Sequence, residues 1–388
     1  MKPTSTLTMN TSNTPSKTRL PTNLRSRVRP GLLAHQCNRP VGLLTGLGLL
    51  AGGLLSMGLT VSTAQAQIYD IDFVTIGDVG NEPYAGDPYG RMAGRGSVDY
   101  EYRIGRYEVT TGQWMEFVNT FSTQSDDFTY FASPDFWGAA TDPDYSGPGR
   151  HYILRSDIST PEMLPVGGIS WREAAMYANW LHNNKSSDLS AIQNGAYDTS
   201  TFGTNNDNTF NDQLTHNPDA RFWIPTLDEW LKAAHYDPNK NGTGQSGWWE
   251  YSIMSDEPPI YGIPGEGQAN SGFELPGFAE WDIPLGAYED VTSPWGLFDT
   301  AGGGQEWLEE PDFHDRPPEE RRLDNSAAGW NYIEAELSDR VSRFSGSLAP
   351  HLPASGSFRI ATIPSAPALG LAAWSMGMLL IKPRRRIS

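Results

Sequence analysis

The chain has 388 residues, with 46 Asp and Glu against 28 Lys and Arg, 40 glycines, 29 prolines and 13 tryptophans. A formal net charge of −18 repels phosphate backbones, which excludes nucleic acid as a partner and favours divalent cations and basic ligands. A single cysteine excludes a disulfide framework, so a chain of this length must be held by its own hydrophobic core.

Residues 1–66 read as a secretory leader. Seven basic residues from Lys2 to Arg39 precede the uncharged run Val41 to Val61, which closes on the small-x-small pattern Ala64-Gln65-Ala66. Cleavage before Gln67 would remove Cys37 and leave a mature chain without a thiol; an uncleaved N-terminal anchor is the alternative. With seven basic residues in the leader and four at the far end, the part between carries 17 against 46 acidic residues, a net charge of −29.

Alternation of apolar and polar residues predicts early strands at Asp72 to Ile76 and Tyr100 to Ile104. Three capping boxes then announce helices: Thr110 with Gln113, Ser170 with Glu173, and Thr226 with Glu229. The first helix carries Trp114, Phe117, Val118 and Phe121 on one face, and the second Trp171, Ala174, Ala175, Ala178 and Leu181. The third, starting at Leu227, must stop before Asp237-Pro238. Between the second and third, residues 183–220 are rich in Asn, Asp, Ser, Thr and Gly, which predicts a loop.

Further on, SPWGLFDTAGGGQEWLEE (Ser293 to Glu310) sets Gly302, Gly303 and Gly304 beside Glu306, Glu309 and Glu310. Two readings stay open: a cation loop that uses backbone carbonyls and hard carboxylate oxygens, or a tight turn between buried tryptophans with a solvated acidic exit. A late strand is predicted at Phe358 to Ala361. The chain then ends in the uncharged Ala366 to Ile381, followed by Lys382, Arg384, Arg385 and Arg386. That tail, residues 364–388, resembles the PEP-CTERM type of sorting signal, which an exosortase removes, although Ile363-Pro364-Ser365-Ala366-Pro367 lacks the glutamate of the motif. A permanent anchor with its basic end inside is the alternative.

Five segments stand in order: YRIGRYEVTTGQWMEFVNTF, LPVGGISWREAAMYANWLHN, ARFWIPTLDEWLKAAHYDPN, SPWGLFDTAGGGQEWLEE and SGSFRIA. The series resembles the formylglycine-generating enzyme family, also called the sulfatase-modifying factor domain, over roughly residues 70–362. The resemblance implies a single α+β domain over 67–363 with a C-type-lectin-like fold and little regular secondary structure. It also implies possible calcium at Gly303 and Glu306, and at a second place formed by Asn270 and Asp282.

Catalytic members of that family oxidise a sulfatase cysteine with copper held by a pair of their own cysteines. The corresponding segment here, around Tyr332 and Leu337, contains none. Thiolates hold Cu(I) in that chemistry, so no catalytic residue is assigned and copper is not expected. The iron-dependent branch uses three histidines, whereas His151, His182, His216, His235, His314 and His351 are scattered without helical spacing and read as structural or surface residues. Other departures are Gly303, which replaces the family asparagine, and Ser357, which replaces the glycine before Phe358-Arg359.

The sequence therefore predicts an exported, non-catalytic surface binding or structural module. Its ligand would be a glycan or peptide, with Trp248 or Trp249 of GQSGWWEYS as a stacking platform and at least one of the pair buried. Partners are that extracellular ligand, the export machinery and an exosortase, with membrane contact only through the termini. The alternative is a metal-dependent oxidoreductase of the same wider family with a non-cysteine site.

Overall fold

Each of the three capping boxes forms as a closed pair, and the helices they start set the frame of the molecule. In the computed structural model, the described residues are 70–86, 92–125, 134, 136–206, 210–270, 282–311, 322–325, 340–341, 344–347 and 356–364. All of them fall in one compact unit, Thr60–Ser388. The leader read at 1–66 and the tail from 366 onward lie outside the described residues.

Along the chain come β1 (Phe73–Ile76), β2 (Tyr102–Gly105), α1 (Thr111–Ser122), β3 (Ala139–Thr141), β4 (Tyr152–Leu154), α2 (Trp171–His182) and α3 (Ser190–Gln193). There follow β5 (Phe222–Trp223), α4 (Leu227–His235), β6 (Tyr236–Asp237), β7 (Gly247–Trp248), β8 (Gln305–Pro311), β9 (Arg322–Asn325), β10 (Phe344–Ser347), β11 (Gly356–Ser357) and β12 (Ala361–Thr362). One antiparallel sheet has the order β1-β2-β12-β5, and a second has the order β10-β9-β8-β11 with β11 parallel to β8. Two short hairpins, β3-β4 and β6-β7, complete a fold of mixed helix and strand, open sheets and low regular content.

Thr110, Ser170 and Thr226 each accept from the amide three residues on, and Gln113, Glu173 and Glu229 reach back to the cap amides. The N3 amide and the N-cap amide of each helix start are thereby satisfied. The predicted apolar faces are buried: Trp114, Phe117, Val118 and Phe121 on α1, and Trp171, Ala174, Ala175, Ala178 and Leu181 on α2. Trp114, Tyr177 and Phe358 meet at 5.5–5.8 Å between ring centroids, which joins α1, α2 and the late segment in one core. Each such buried aromatic contributes about 1.5–3 kcal/mol through lost water contact.

Two tryptophans tie α2 to β8 reciprocally. Trp171 Nε1 donates to the Leu308 carbonyl at 3.0 Å, and Trp307 Nε1 donates to the Ile169 carbonyl at 2.7 Å. These bonds let two large rings enter the core without a stranded N–H.

Some predicted elements move. β2 starts at Tyr102 instead of Tyr100, whose hydroxyl turns away to Glu229. The loop at 183–220 contains α3 and a 3₁₀ turn at Thr199–Thr201, held by Asn179, whose amide donates to the carbonyls of Ile192 and Tyr197. Of the late strand predicted at Phe358 to Ala361 only Ala361 lies in a strand, because Phe358 to Ile360 run between β11 and β12, which belong to different sheets.

Candidate functional site

The glycine turn of the SPWGLFDTAGGGQEWLEE stretch folds against the chain at Asn270. Gly302 and Gly303 take φ of 71° and 72°, and a Cβ at Gly302 would stand 2.7 Å from the Asn270 carbonyl oxygen. Only glycine fits that approach. Gly303 N–H donates to the same carbonyl at 3.0 Å, so the two loops assigned to separate ion positions are one bridged structure.

Glu306 projects into the interior. Its Oε2 accepts from Arg359 Nε at 2.9 Å and from Trp230 Nε1 at 3.1 Å. Arg359 is fully buried and donates from Nη1 to the carbonyls of Arg106 and Gly105 and from Nη2 to that of Phe298. Two further acids belong to this neighbourhood. Glu108, also buried, accepts from Ser357 Oγ at 2.9 Å through Oε2, while its Oε1 has no hydrogen-bond partner. A Cβ at Gly303 would lie 3.9 Å from that Oε1. Asp299, at φ 55°, accepts from Gly286 N–H at 2.6 Å.

Burial raises all three carboxyls. Glu108 is pushed up to about 8 by burial and then by the charge of Glu306, against the pull of Arg359. Burial lifts Asp299 to about 6, and it raises Glu306 against the opposing Arg359 guanidinium. Acids stay buried at this cost only where an arginine and backbone donors answer them.

The acidic exit is folded inward, contrary to the solvated one of the second sequence reading. Glu309 is buried, and its Oε1 accepts from Tyr197 OH at 2.8 Å, His216 N–H at 2.7 Å and His216 Nδ1–H at 2.8 Å. Glu310 Oε2 accepts the Leu227 N–H that opens α4, and Arg95 bridges Glu310 to Asp228. Burial pulls His216 down, but the Glu309 bond and charge outweigh it and leave its basicity raised. Of the remaining histidines, His151 pairs with Asp142, His182 Nδ1 accepts from Arg221 N–H, and His235 is buried against the Trp249 carbonyl. His314 and His351 lie outside the described residues, as do Tyr332 and Leu337.

Asp282 stands at the surface, 3.7 Å from Arg155 Nη1. Trp248 rests on Gly96 and is flanked by Tyr84 and Tyr236, while Trp249 has Lys240 Nζ over its ring at 4.2 Å. Both rings are half-buried and already partnered, so neither is the buried member expected of the pair. Among the described residues, no group of three or more His, Cys, Asp or Glu side chains is arranged to hold a metal ion. A cation at the glycine turn would therefore depend on backbone carbonyls. Glu108 and Arg359 escaped the sequence reading; the one signal for Glu108 was a lone charge inside the apolar Tyr107-Glu108-Val109 run.

The model of the sulfatase-modifying factor enzyme 1-like domain matches residues 49–341. The chain belongs to that family. The match begins inside the apolar run read as part of the leader, and it spans the capped helices and the glycine turn. No curated protein matches the chain. Among solved structures, the crystal structure of CarF is 19% identical and covers 76% of this chain and 99% of its own, at a TM-score of 0.44. Treponema denticola variable protein 1 is 16% identical, covers 76% and 95%, and gives 0.46. PvdO from Pseudomonas aeruginosa is 14% identical, covers 76% and 92%, and gives 0.38.

Within the family frame, the copper chemistry of formylglycine formation needs a pair of thiolates, and a chain whose only cysteine is Cys37 cannot supply one. The donor set for that ion does not fit.

Proposed function

We propose that this chain is an exported, non-catalytic member of the sulfatase-modifying factor family that acts as a surface binding or structural module. The observation that carries the reading is the placement of the single cysteine at Cys37, ahead of every described residue. Export is supported by the basic and apolar sequence of residues 1–66, and retention at the surface by the apolar and basic tail. The test is incubation of the purified protein with Cu(I) and a cysteine-containing sulfatase peptide. Mass spectrometry is expected to find the cysteine unchanged; an aldehyde at that position would overturn the reading.

The same reading gives calcium to the Gly303 turn, with Glu108 added to the expected Glu306. Supporting it is the Glu108 Oε1, which has no hydrogen-bond partner among the described residues and stands beside a glycine turn, a hard oxygen donor of the kind calcium takes. Titration of chelator-treated protein is expected to show uptake in the wild type and its loss in Glu108→Gln. Absence of uptake removes calcium from the account and leaves the binding module in place.

A further inference from the structure

Between Asn241 and Phe313 the sequence holds fourteen Asp and Glu and no Lys, Arg or His. Within that stretch, away from the buried acids, three large apolar side chains stand in water. Ile260 is 63% exposed, Met254 44% and Ile263 38%. Single exposed aliphatics are ordinary on a protein surface, but three within ten residues make a patch.

The backbone holds this patch in shape. Gln268 N–H donates to the Ile260 carbonyl at 2.6 Å, Ile260 N–H donates back to Gln268 Oε1 at 3.0 Å, and Gly267 N–H donates to the Ile263 carbonyl at 2.8 Å. A Cβ on Gly267 would stand 2.5 Å from Gly262 N, so the two sides of the loop touch. Met254 belongs to the same neighbourhood, because Ile253 beside it and Gln268 border one small hollow. Its φ of 57° is a conformation that a residue with a side chain rarely adopts, and it sets a flexible thioether out in solvent.

The acids around the patch differ in how they are answered. Asp256 is paired with Lys240 at 2.7 Å. The exposed Glu257 and Glu266 form no ion pair among the described residues. Neither do the exposed Glu289 and Asp290, which follow Tyr288, whose hydroxyl ties their turn to the loop at the Gly262 carbonyl. An apolar surface set among unanswered carboxylates attracts cations and then rewards an aliphatic contact.

That combination narrows the occupant. A second copy of this chain would bring the same carboxylates face to face, and an anionic lipid surface would be repelled likewise. A neutral glycan would leave the acids unanswered. Folded partners take about 800 Å² on each side, far more than three side chains offer, so the contact is with a short segment. A loop already closed by its own hydrogen bonds lowers the cost of ordering it on binding.

We propose that the face formed by residues 254–266 docks a short cationic segment of a partner protein in which aliphatic residues alternate with lysine or arginine. Its aliphatic side chains rest on Met254, Ile260 and Ile263, and its basic ones meet Glu257 and Glu266. This deepens the binding-module reading and rests on it.

The test is calorimetric titration of the full chain with an acetylated, amidated hexapeptide of alternating lysine and leucine. Saturable binding that weakens as salt is raised is expected. The matching lysine-serine and glutamate-leucine peptides should not bind. Ile260→Ser with Ile263→Ser should weaken the lysine-leucine peptide by about tenfold, the worth of two half-covered aliphatic side chains. Glu257→Gln with Glu266→Gln should bind more weakly and flatten the salt dependence. Leu189→Ser with Leu214→Ser, which removes two exposed aliphatics outside this stretch, should bind as the wild type does. All of these side chains are exposed, so the variants are expected to keep the wild-type thermal midpoint.

Equal binding of the lysine-serine peptide, or undiminished binding by either 254–266 variant, would overturn the proposal. So would an equal loss in the Leu189 and Leu214 variant. A peptide of residues 366–386 that binds more tightly than the hexapeptide would replace the outside partner by this chain's own tail, and a dimer in sedimentation that Ile260→Ser with Ile263→Ser abolishes would replace it by a second copy. A flat titration sinks the docking face and leaves the non-catalytic reading standing, whereas formylglycine formation sinks that reading without touching the titration.

Discussion

Substituting Glu173 by Gln isolates what burial does to a capping carboxyl. Glu173 opens α2, is only 7% exposed, and accepts through Oε2 from Ser170 N–H at 2.9 Å and Ser170 Oγ–H at 2.7 Å. Burial lifts its pKa from 4.5 to about 7, partly offset by those two bonds. Below pH 4.5 the group is protonated folded and unfolded, and it adds no pH dependence. As pH rises from there, the unfolded chain releases the proton first, and stability falls until the folded carboxyl also ionises near 7. The total loss is about 3 kcal/mol, most of which falls between pH 5 and pH 8. Glutamine keeps a capping oxygen and cannot ionise. Urea denaturation followed by tryptophan fluorescence should therefore give similar stabilities for Glu173→Gln and wild type at pH 5, with the variant ahead by about 2–3 kcal/mol at pH 8. A difference that stays constant across that range would refute the argument that desolvation governs this site.

Arg359→Met should cost about 3–5 kcal/mol, because Glu306 is left buried without its cation; a thermal midpoint within a degree or two of wild type would refute the account of that network. Gly149→Ala and Gly244→Ala separate backbone conformation from crowding, since both glycines have φ near 70° but only Gly149 would set a Cβ 1.8 Å from the Ser122 carbonyl oxygen. Gly244→Ala is expected to cost about 1 kcal/mol and Gly149→Ala at least twice that by urea midpoint; equal costs would show that crowding is relieved elsewhere. Thr226→Ala should lose about 1 kcal/mol with the α4 cap, read by the same denaturation.

The parts of the fold visible in sequence are those dictated by neighbours along the chain. A capping box needs only residues three apart, and an apolar helix face needs only a period, so Thr110, Ser170, Thr226 and the tryptophans of α1 and α2 could be placed in advance. Turn geometry was also readable, since three consecutive glycines permit the positive φ found at Gly302 and Gly303. Long-range pairing was not. Glu309 carries no local signal that it receives Tyr197 and His216, which lie 112 and 93 residues away. Glu108 meets Ser357 across 249 residues, and the break between β11 and β12 depends on two sheets whose other members are made far earlier. The packing of Trp248 was hidden for the same reason, because Tyr84, Gly96 and Tyr236, which meet its ring, come from other segments.

The position of β12 between β2 and β5 has a consequence for synthesis. A ribosome delivers Ala361 and Thr362 after every other described strand, yet these residues occupy the inside of their sheet, with Ile104 and Trp223 as flanking partners. Until they emerge, β2 and β5 have no ladder between them, and the nascent polypeptide must wait with aromatic surface uncovered. Such late, distant closure makes for slow acquisition of structure, and it leaves this sheet open for as long as synthesis of the described strands continues.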